Sequence, residues 1–84
     1  MIVEKYLEKI SKISRDKKTE YNYLRELAVI EVEAAVDIRL RSKEFEKITE
    51  TIKKKANENC MNGSIKVMKL AHELMNTRTE WDMK

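Results

Sequence analysis

The residues that could carry out chemistry are few, and none has the neighbours that a reactive site requires. His72 is the only histidine and Cys60 the only cysteine, so the chain contains no metal-binding cluster with ligand spacing. The residue three positions before His72 is Lys69, which excludes the Glu-x-x-His pattern of di-iron helical bundles. We therefore expect His72 to be a packed or rim histidine and Cys60 to be an inert, half-buried thiol.

Acid–base catalysis would have to use carboxylates, and Glu33 and Asp37 do share one face of a helix at a spacing of four residues. Such a pair can act when burial separates its two pKa values. Because both lie beside Glu26 in a polar wedge between two apolar stripes, we interpret them as a solvated face or an ion-pair seam. Glu31 lies among apolar neighbours and needs a lysine or arginine partner if it is buried.

Nucleophilic and phosphate-binding motifs are also missing from the sequence. No serine lies in a glycine-rich elbow, and a single glycine, Gly63, cannot form a phosphate-binding loop. The sequence therefore predicts no catalytic, cofactor or metal site, and we expect the protein not to be an enzyme.

Composition limits the class of protein. Eighty-four residues predict one domain, residues 1–84, and 42% hydrophobic residues at helical spacing argue against disorder. No apolar run approaches the roughly 20 residues that span a bilayer, no signal peptide precedes the amphipathic pattern, and a lone cysteine needs no oxidising compartment. We expect a cytoplasmic protein without a membrane partner. Heavy use of lysine, isoleucine, glutamate and asparagine is typical of AT-rich bacterial or phage genomes and indicates an accessory protein of such an organism.

The elements that would position these residues are helices, because proline is absent and turn-rich β folds need such punctuation. Apolar periodicity predicts an all-α fold, a small bundle of four helices over residues 2–14, 20–40, 42–59 and 65–76. We expect Thr19, Ser42 and Ser64 to cap the last three helices. Residues 77–84, which include Trp81, should form a tail that docks back or frays.

The second helix has more apolar surface than one face can hold. Ordinary surface helices bury one apolar face, whereas this helix carries two stripes, and methionines recur every seven residues at positions 61, 68 and 75. This surplus predicts a homo-oligomer. The self-association candidates are Val29, Val32, Val36, Leu40, Met68 and Met75.

An alternative comes from residues 30–40, where every even position is apolar and most odd positions are charged, a pattern typical of a strand. If this segment is a strand, residues 35–76 resemble a ribbon–helix–helix repressor with an added N-terminal helix: Val36-Asp37-Ile38-Arg39-Leu40-Arg41, then a helix with Phe45, Ile48 and Ile52, a turn, and Ser64 opening another helix. The resemblance implies a dimer with Asp37, Arg39 and Arg41 facing DNA. We favour helix, because no turn residue separates the segment from the helical residues before it.

Charged residues are arranged in blocks along the chain. Residues 5–18 and 39–55 are basic while residues 20–37 are acidic, so the second helix should lie between the first and the third. Lys43, Lys47 and Lys54 form a basic ridge that can bind phosphates, but Glu44, Glu46 and Glu50 interleave with them. The full set of candidates for an anionic partner is Arg39, Arg41, Lys43, Lys47, Lys53, Lys54 and Lys55.

Two functions follow from these patterns. The leading hypothesis is a non-enzymatic helical interaction protein, a regulator, adaptor or inhibitor of a protein partner, that self-associates. The alternative is a nucleic-acid-binding transcriptional regulator that uses the basic ridge or a paired β-ribbon.

Overall fold

Four helices account for most of the chain in the computed structural model, which describes residues 2–82, with side chains up to residue 77. They are α1 (Ile2–Lys12), α2 (Glu20–Ala35), α3 (Ser42–Asn59) and α4 (Gly63–Asp82). The predicted all-α bundle of four helices is confirmed. No strand occurs in residues 2–82, so the strand interpretation of residues 29–41 is wrong, and the ribbon–helix–helix resemblance fails with it.

Successive helices alternate in direction, and α2 and α3 form the centre. Both central helices contact each other and both outer helices, whereas α1 and α4 do not touch within the described residues. Glu20 near the start of α2 pairs with Lys66 near the start of α4, so these two helices run in the same direction. No described helix combines the length and hydropathy that crossing a bilayer requires.

The core lies where α2 and α3 meet the outer helices. Its fully buried large side chains are Ile10, Tyr23, Leu27, Ile48, Ile52 and Val67. The Tyr23 hydroxyl is satisfied inside this core, because it accepts a hydrogen bond from Asn59 Nδ2 at 2.9 Å and donates one to the Lys55 carbonyl at 3.3 Å. A buried phenol therefore costs little here.

The helix starts differ slightly from the predicted caps. Thr19 caps α2 as predicted, since its hydroxyl accepts the Asn22 N–H at 3.1 Å. The cap of α3 is Arg41 instead of Ser42, because the Glu44 carboxylate three residues later accepts the Arg41 N–H at 3.0 Å. Helix α4 begins at Gly63, before the predicted cap Ser64, and continues to Asp82, well past the predicted end at residue 76. The described part of the predicted tail, residues 77–82, is thus helical.

Helix α2 ends at Ala35, five residues before its predicted end, because Asp37 supplies a competing set of hydrogen bonds. Its carboxylate accepts the backbone N–H of Arg39 at 3.0 Å, the Arg39 guanidinium at 2.8 and 2.9 Å, and the Tyr6 hydroxyl at 2.6 Å. A side chain that binds the N–H two residues later stabilises a turn at the expense of the helix. Residues 36–41 therefore form a loop, which we call the α2–α3 loop.

The turn between α3 and α4 depends on close contact at Gly63. A Cβ atom at this position would lie 2.1 Å from the Ala56 carbonyl oxygen and 2.4 Å from its carbon, far inside van der Waals contact. Asn62 just before it has φ 53°, in the left-handed region that asparagine tolerates. The Asn-Gly pair thus lets α4 start directly against the backbone of α3.

Candidate interaction surfaces

An apolar stripe remains on the outer face of α4 after folding. Met61, Ile65 and Met68 are 82%, 57% and 38% exposed, and His72 continues the line one turn further. At about 100° per residue Ile65, Met68 and His72 fall within roughly 60° of one another, and Met61 lies in the turn just before α4. We call Met61, Ile65, Met68 and His72 the α4 stripe.

The stripe borders a shallow depression with mainly apolar walls. Ile65, Met68 and His72 line it together with Lys69 and Glu73, which supply its charged edge. An apolar surface with a polar rim is typical of a protein–protein contact site. Because α4 packs only on α2 and α3, no other described part of the chain covers this face.

The structure separates the six predicted self-association residues into two groups. Val32 is 7% exposed and belongs to the core of the subunit, and Leu40 and Met75 pack against that core. The prediction of a continuous second apolar stripe on α2 therefore needs correction, since the chain covers much of it by its own packing and by ending α2 at Ala35. The exposed members are Val29, Val36 and Met68.

The predicted basic residues also divide. Arg41, Lys43, Lys47 and Lys54 are exposed and form no ion pair within the described residues. Arg39 is exposed but already binds Asp37 through two nitrogens. The ion pairs that α2 makes come from other residues: Lys9 of α1 binds Glu33 at 3.2 Å, Lys18 after α1 binds Glu26 at 2.6 Å, and Lys66 of α4 binds Glu20 at 2.6 Å. The acidic helix thus contacts both basic helices, but α1 and α3 also contact each other directly, so α2 does not separate them as predicted.

Two lysines of α3 point inward and cannot belong to the ridge. Lys55 donates a hydrogen bond to the Ile10 carbonyl in the last turn of α1, and burial lowers the pKa of its ammonium group. Lys53 is half-buried, and its charge acts on Glu31. The exposed ridge therefore consists of Lys43, Lys47 and Lys54, on the same outer face as Glu46 and Glu50.

Glu31 is buried, as its apolar neighbours suggested, but it lacks the ion pair that we expected. The residue is 8% exposed, and its buried Oε1 atom has no hydrogen-bond partner in the part of the chain whose side chains are described. Burial raises the pKa of this carboxyl, and the charges of Lys53 and His72 oppose the rise without coming into ion-pair contact among the described residues. A buried carboxylate of this kind costs free energy instead of contributing it.

The other residues considered for chemistry have structural neighbours. Hydrogen bonds from Arg39, and to a lesser extent from Tyr6, hold the pKa of Asp37 well below its usual range. The hydrogen bond between Tyr6 and Asp37 also raises the pKa of the Tyr6 hydroxyl. Cys60 is buried, and His72 is exposed on the α4 stripe. Within residues 2–82, no group of three or more histidine, cysteine, aspartate or glutamate side chains could hold a metal ion.

Sequence reasoning missed the most exposed large hydrophobic side chain that the structure describes, Ile38. It falls within the predicted second helix, residues 20–40, but it is 98% exposed on the α2–α3 loop. The available signal was Asp37 followed two residues later by Arg39, a spacing that favours a side-chain-stabilised turn. Comparisons with family models, with curated proteins and with solved structures find no match to this chain.

Proposed function

We propose that this chain is a non-enzymatic helical interaction protein, acting in the cytoplasm as a regulator, adaptor or inhibitor, and that it self-associates through the α4 stripe. The observation that supports this proposal is the row of exposed apolar side chains along one face of an outer helix. Water contact with such a row is unfavourable by roughly 25 cal/mol per Å² of apolar surface. Covering it with a partner recovers that free energy.

A second copy of the chain is the partner that suits this geometry. The helical part of the stripe extends over residues 65–72, about 10 Å at 1.5 Å per residue, and Met61 adds exposed apolar surface in the turn before α4. When two such helices pack antiparallel about a two-fold axis, each apolar stripe covers the other, and the contact closes at a dimer. Lys69 and Glu73 at the rim have opposite charges, so two copies can place unlike charges beside each other.

Sedimentation equilibrium of matched double variants tests the proposal. Ile65→Glu with Met68→Glu should weaken self-association at least tenfold, because it places charges in the stripe. Val29→Glu with Val36→Glu adds the same charge at two other exposed valines, one on α2 and one just after its end, and should leave the dimer constant unchanged. If the α2 pair dissociates the dimer and the α4 pair does not, the interface is on α2 and our assignment is wrong.

Nucleic-acid binding remains the second candidate, supported by Lys43, Lys47 and Lys54 of α3, which are exposed and form no ion pair with the described residues. Its support is weaker, because Glu46 and Glu50 share the face of Lys43, Lys47 and Lys54 and no aromatic side chain lies among them. The β-ribbon version of this function has no structural basis, since residues 29–41 are helix and loop.

A further inference from the structure

The α2–α3 loop presents an aliphatic side chain to solvent at its tip. Ile38 is 98% exposed and Val36, two residues before it, is 49% exposed. Both precede α3, whose first turn carries Lys43. The apolar surface of Ile38 is therefore not used in the core of the subunit and is accessible to a partner.

The loop is fixed on both sides of Ile38. Asp37 before it binds Tyr6 of α1 and both the backbone and the guanidinium of Arg39, and its side chain is only 7% exposed. Leu40 after it donates its N–H to the Asp37 carbonyl at 3.2 Å and packs against the core. Ile38 is therefore displayed by an ordered backbone. A partner that binds it does not have to order the loop first, which improves affinity.

The charge that surrounds Ile38 and is open to a partner is positive. Arg39, Arg41 and Lys43 line a depression beside the loop, together with Ser42 and Glu44. The acidic groups nearby are already occupied: Asp37 by Tyr6 and Arg39, and Glu44 by the Arg41 N–H. The Arg39 side chain is still 62% exposed, so its remaining N–H groups can reach a second carboxylate.

We propose that the α2–α3 loop is a docking surface for an acidic amphipathic helix of a protein partner. Leucine-like side chains of that helix would pack on Val36 and Ile38, while its carboxylates would pair with Arg39, Arg41 and Lys43. Charge-assisted pairs between guanidinium and carboxylate groups supply orientation as well as affinity. The exposed aliphatic side chain favours a protein over a nucleic acid, because a phosphate backbone offers it no apolar counterpart and no aromatic residue is present in the loop for base stacking.

This surface is separate from the α4 stripe. The loop follows the end of α2, whereas Lys66 near the start of α4 pairs with Glu20 at the beginning of α2. The length of α2, about 24 Å, separates these two points, and the depressions beside the stripe and beside the loop have no lining residue in common. The proposed docking of an acidic helix therefore does not depend on self-association.

The test uses three synthetic peptides of about 20 residues and the full chain labelled with ¹⁵N. The first peptide carries leucines at helical spacing on one face and glutamates on the other. The second replaces glutamate by glutamine, and the third replaces leucine by serine. We expect the first peptide to bind with shift changes concentrated in residues 36–44, and the other two to bind at least tenfold more weakly.

Variants of the protein locate the contact. Ile38→Ser should weaken binding of the first peptide about tenfold without affecting the fold, since the side chain is exposed. Arg41→Gln with Lys43→Gln should weaken it to a similar extent. The control, Lys47→Gln with Lys54→Gln, removes the same charge from exposed positions further along α3 and should leave the peptide affinity unchanged.

Four results would overturn the proposal. Equal affinity for the glutamine peptide would show that charge is not recognised, and shift changes confined to the α4 stripe would place the contact on the other surface. Tighter binding of random duplex DNA, or of vesicles containing phosphatidylserine, through the same loop would replace the protein partner by a nucleic acid or a membrane. Absence of binding up to millimolar peptide would also refute it.

Discussion

Replacement of Glu31 by leucine should stabilise the protein, although it removes a charged residue from the centre of an acidic helix. The carboxylate is buried between α2 and its neighbours, and no side chain or backbone group that the structure describes donates a hydrogen bond to Oε1. Lys53 and His72 influence it electrostatically, but neither forms an ion pair with it among the described residues. Leucine has a similar size and no polar atom to satisfy, so the substitution removes a cost while leaving the packing nearly intact.

The magnitude follows from the unsatisfied atom. A buried acceptor without a partner costs about 1–3 kcal/mol, and more when the group is charged. We therefore expect Glu31→Leu to raise the free energy of unfolding by about 1–3 kcal/mol at pH 7. For a chain of this size each kcal/mol corresponds to a rise of about 4–8 °C in Tm. Glu31→Gln keeps the shape and an unsatisfied polar atom, so it should gain less than Glu31→Leu.

The pH dependence gives this prediction a second, independent component. Burial raises the pKa of Glu31 in the folded protein, so folding favours the protonated carboxyl. The wild-type protein is therefore stabilised, relative to neutral pH, below the ordinary glutamate pKa, and it loses this stability as pH rises through the folded-state pKa. The stability advantage of Glu31→Leu over wild type should consequently be smaller at pH 4 than at pH 7. Urea denaturation followed by circular dichroism at both pH values measures this difference. The reasoning is refuted if Glu31→Leu is less stable than wild type at pH 7, or if its advantage is larger at pH 4.

Two further predictions concern the connections between helices. Gly63→Ala should lower the free energy of unfolding by about 1–3 kcal/mol, because a Cβ 2.1 Å from the Ala56 carbonyl oxygen forces α3 and α4 apart. The control, Ser64→Ala, should change the free energy of unfolding by less than about 0.5 kcal/mol. Equal urea midpoints for the two variants would contradict this prediction. Asp37→Asn should be less stable than wild type at pH 7. Because the pKa of Asp37 is lowered in the folded protein, the ionised carboxylate stabilises the fold, and this stabilisation is lost on acidification. The difference in stability between the two proteins should therefore shrink as pH falls below the ordinary aspartate pKa. A gap that persists unchanged at pH 2 in thermal melts would show that its hydrogen bonds to Tyr6 and Arg39 do not depend on charge.

The number of helices and their positions could be predicted because apolar periodicity and the absence of proline act locally. The end of α2 was only partly predictable: the Asp37–Arg39 turn is local, but the hydrogen bond that completes it comes from Tyr6, which lies 31 residues away in the chain and reaches Asp37 only after α1 has packed. The strand-like alternation of residues 30–40 also reflects the end of α2. Residues 30–35 lie on a helix with a wide buried face, and residues 36–40 lie in a loop.

The candidate surfaces were predictable in part for a related reason. Exposure of Met68 followed from the surplus of apolar residues on α4, but burial of Val32 depends on how the chain packs in three dimensions. Likewise, periodicity places Lys53 and Lys55 near the ridge lysines, and only the packing of α3 against its neighbours shows that Lys55 binds the Ile10 carbonyl. Local pattern identifies apolar and basic faces, whereas tertiary contacts decide which of them remain free.

The molar mass of the wild-type protein in solution tests the central claim most directly. Light scattering coupled to size-exclusion chromatography, over loading concentrations from about 10 to 500 µM, should show a mass that rises from that of the 10.0 kDa chain towards twice that value. A mass that stays at 10.0 kDa over the whole range would contradict self-association through the α4 stripe.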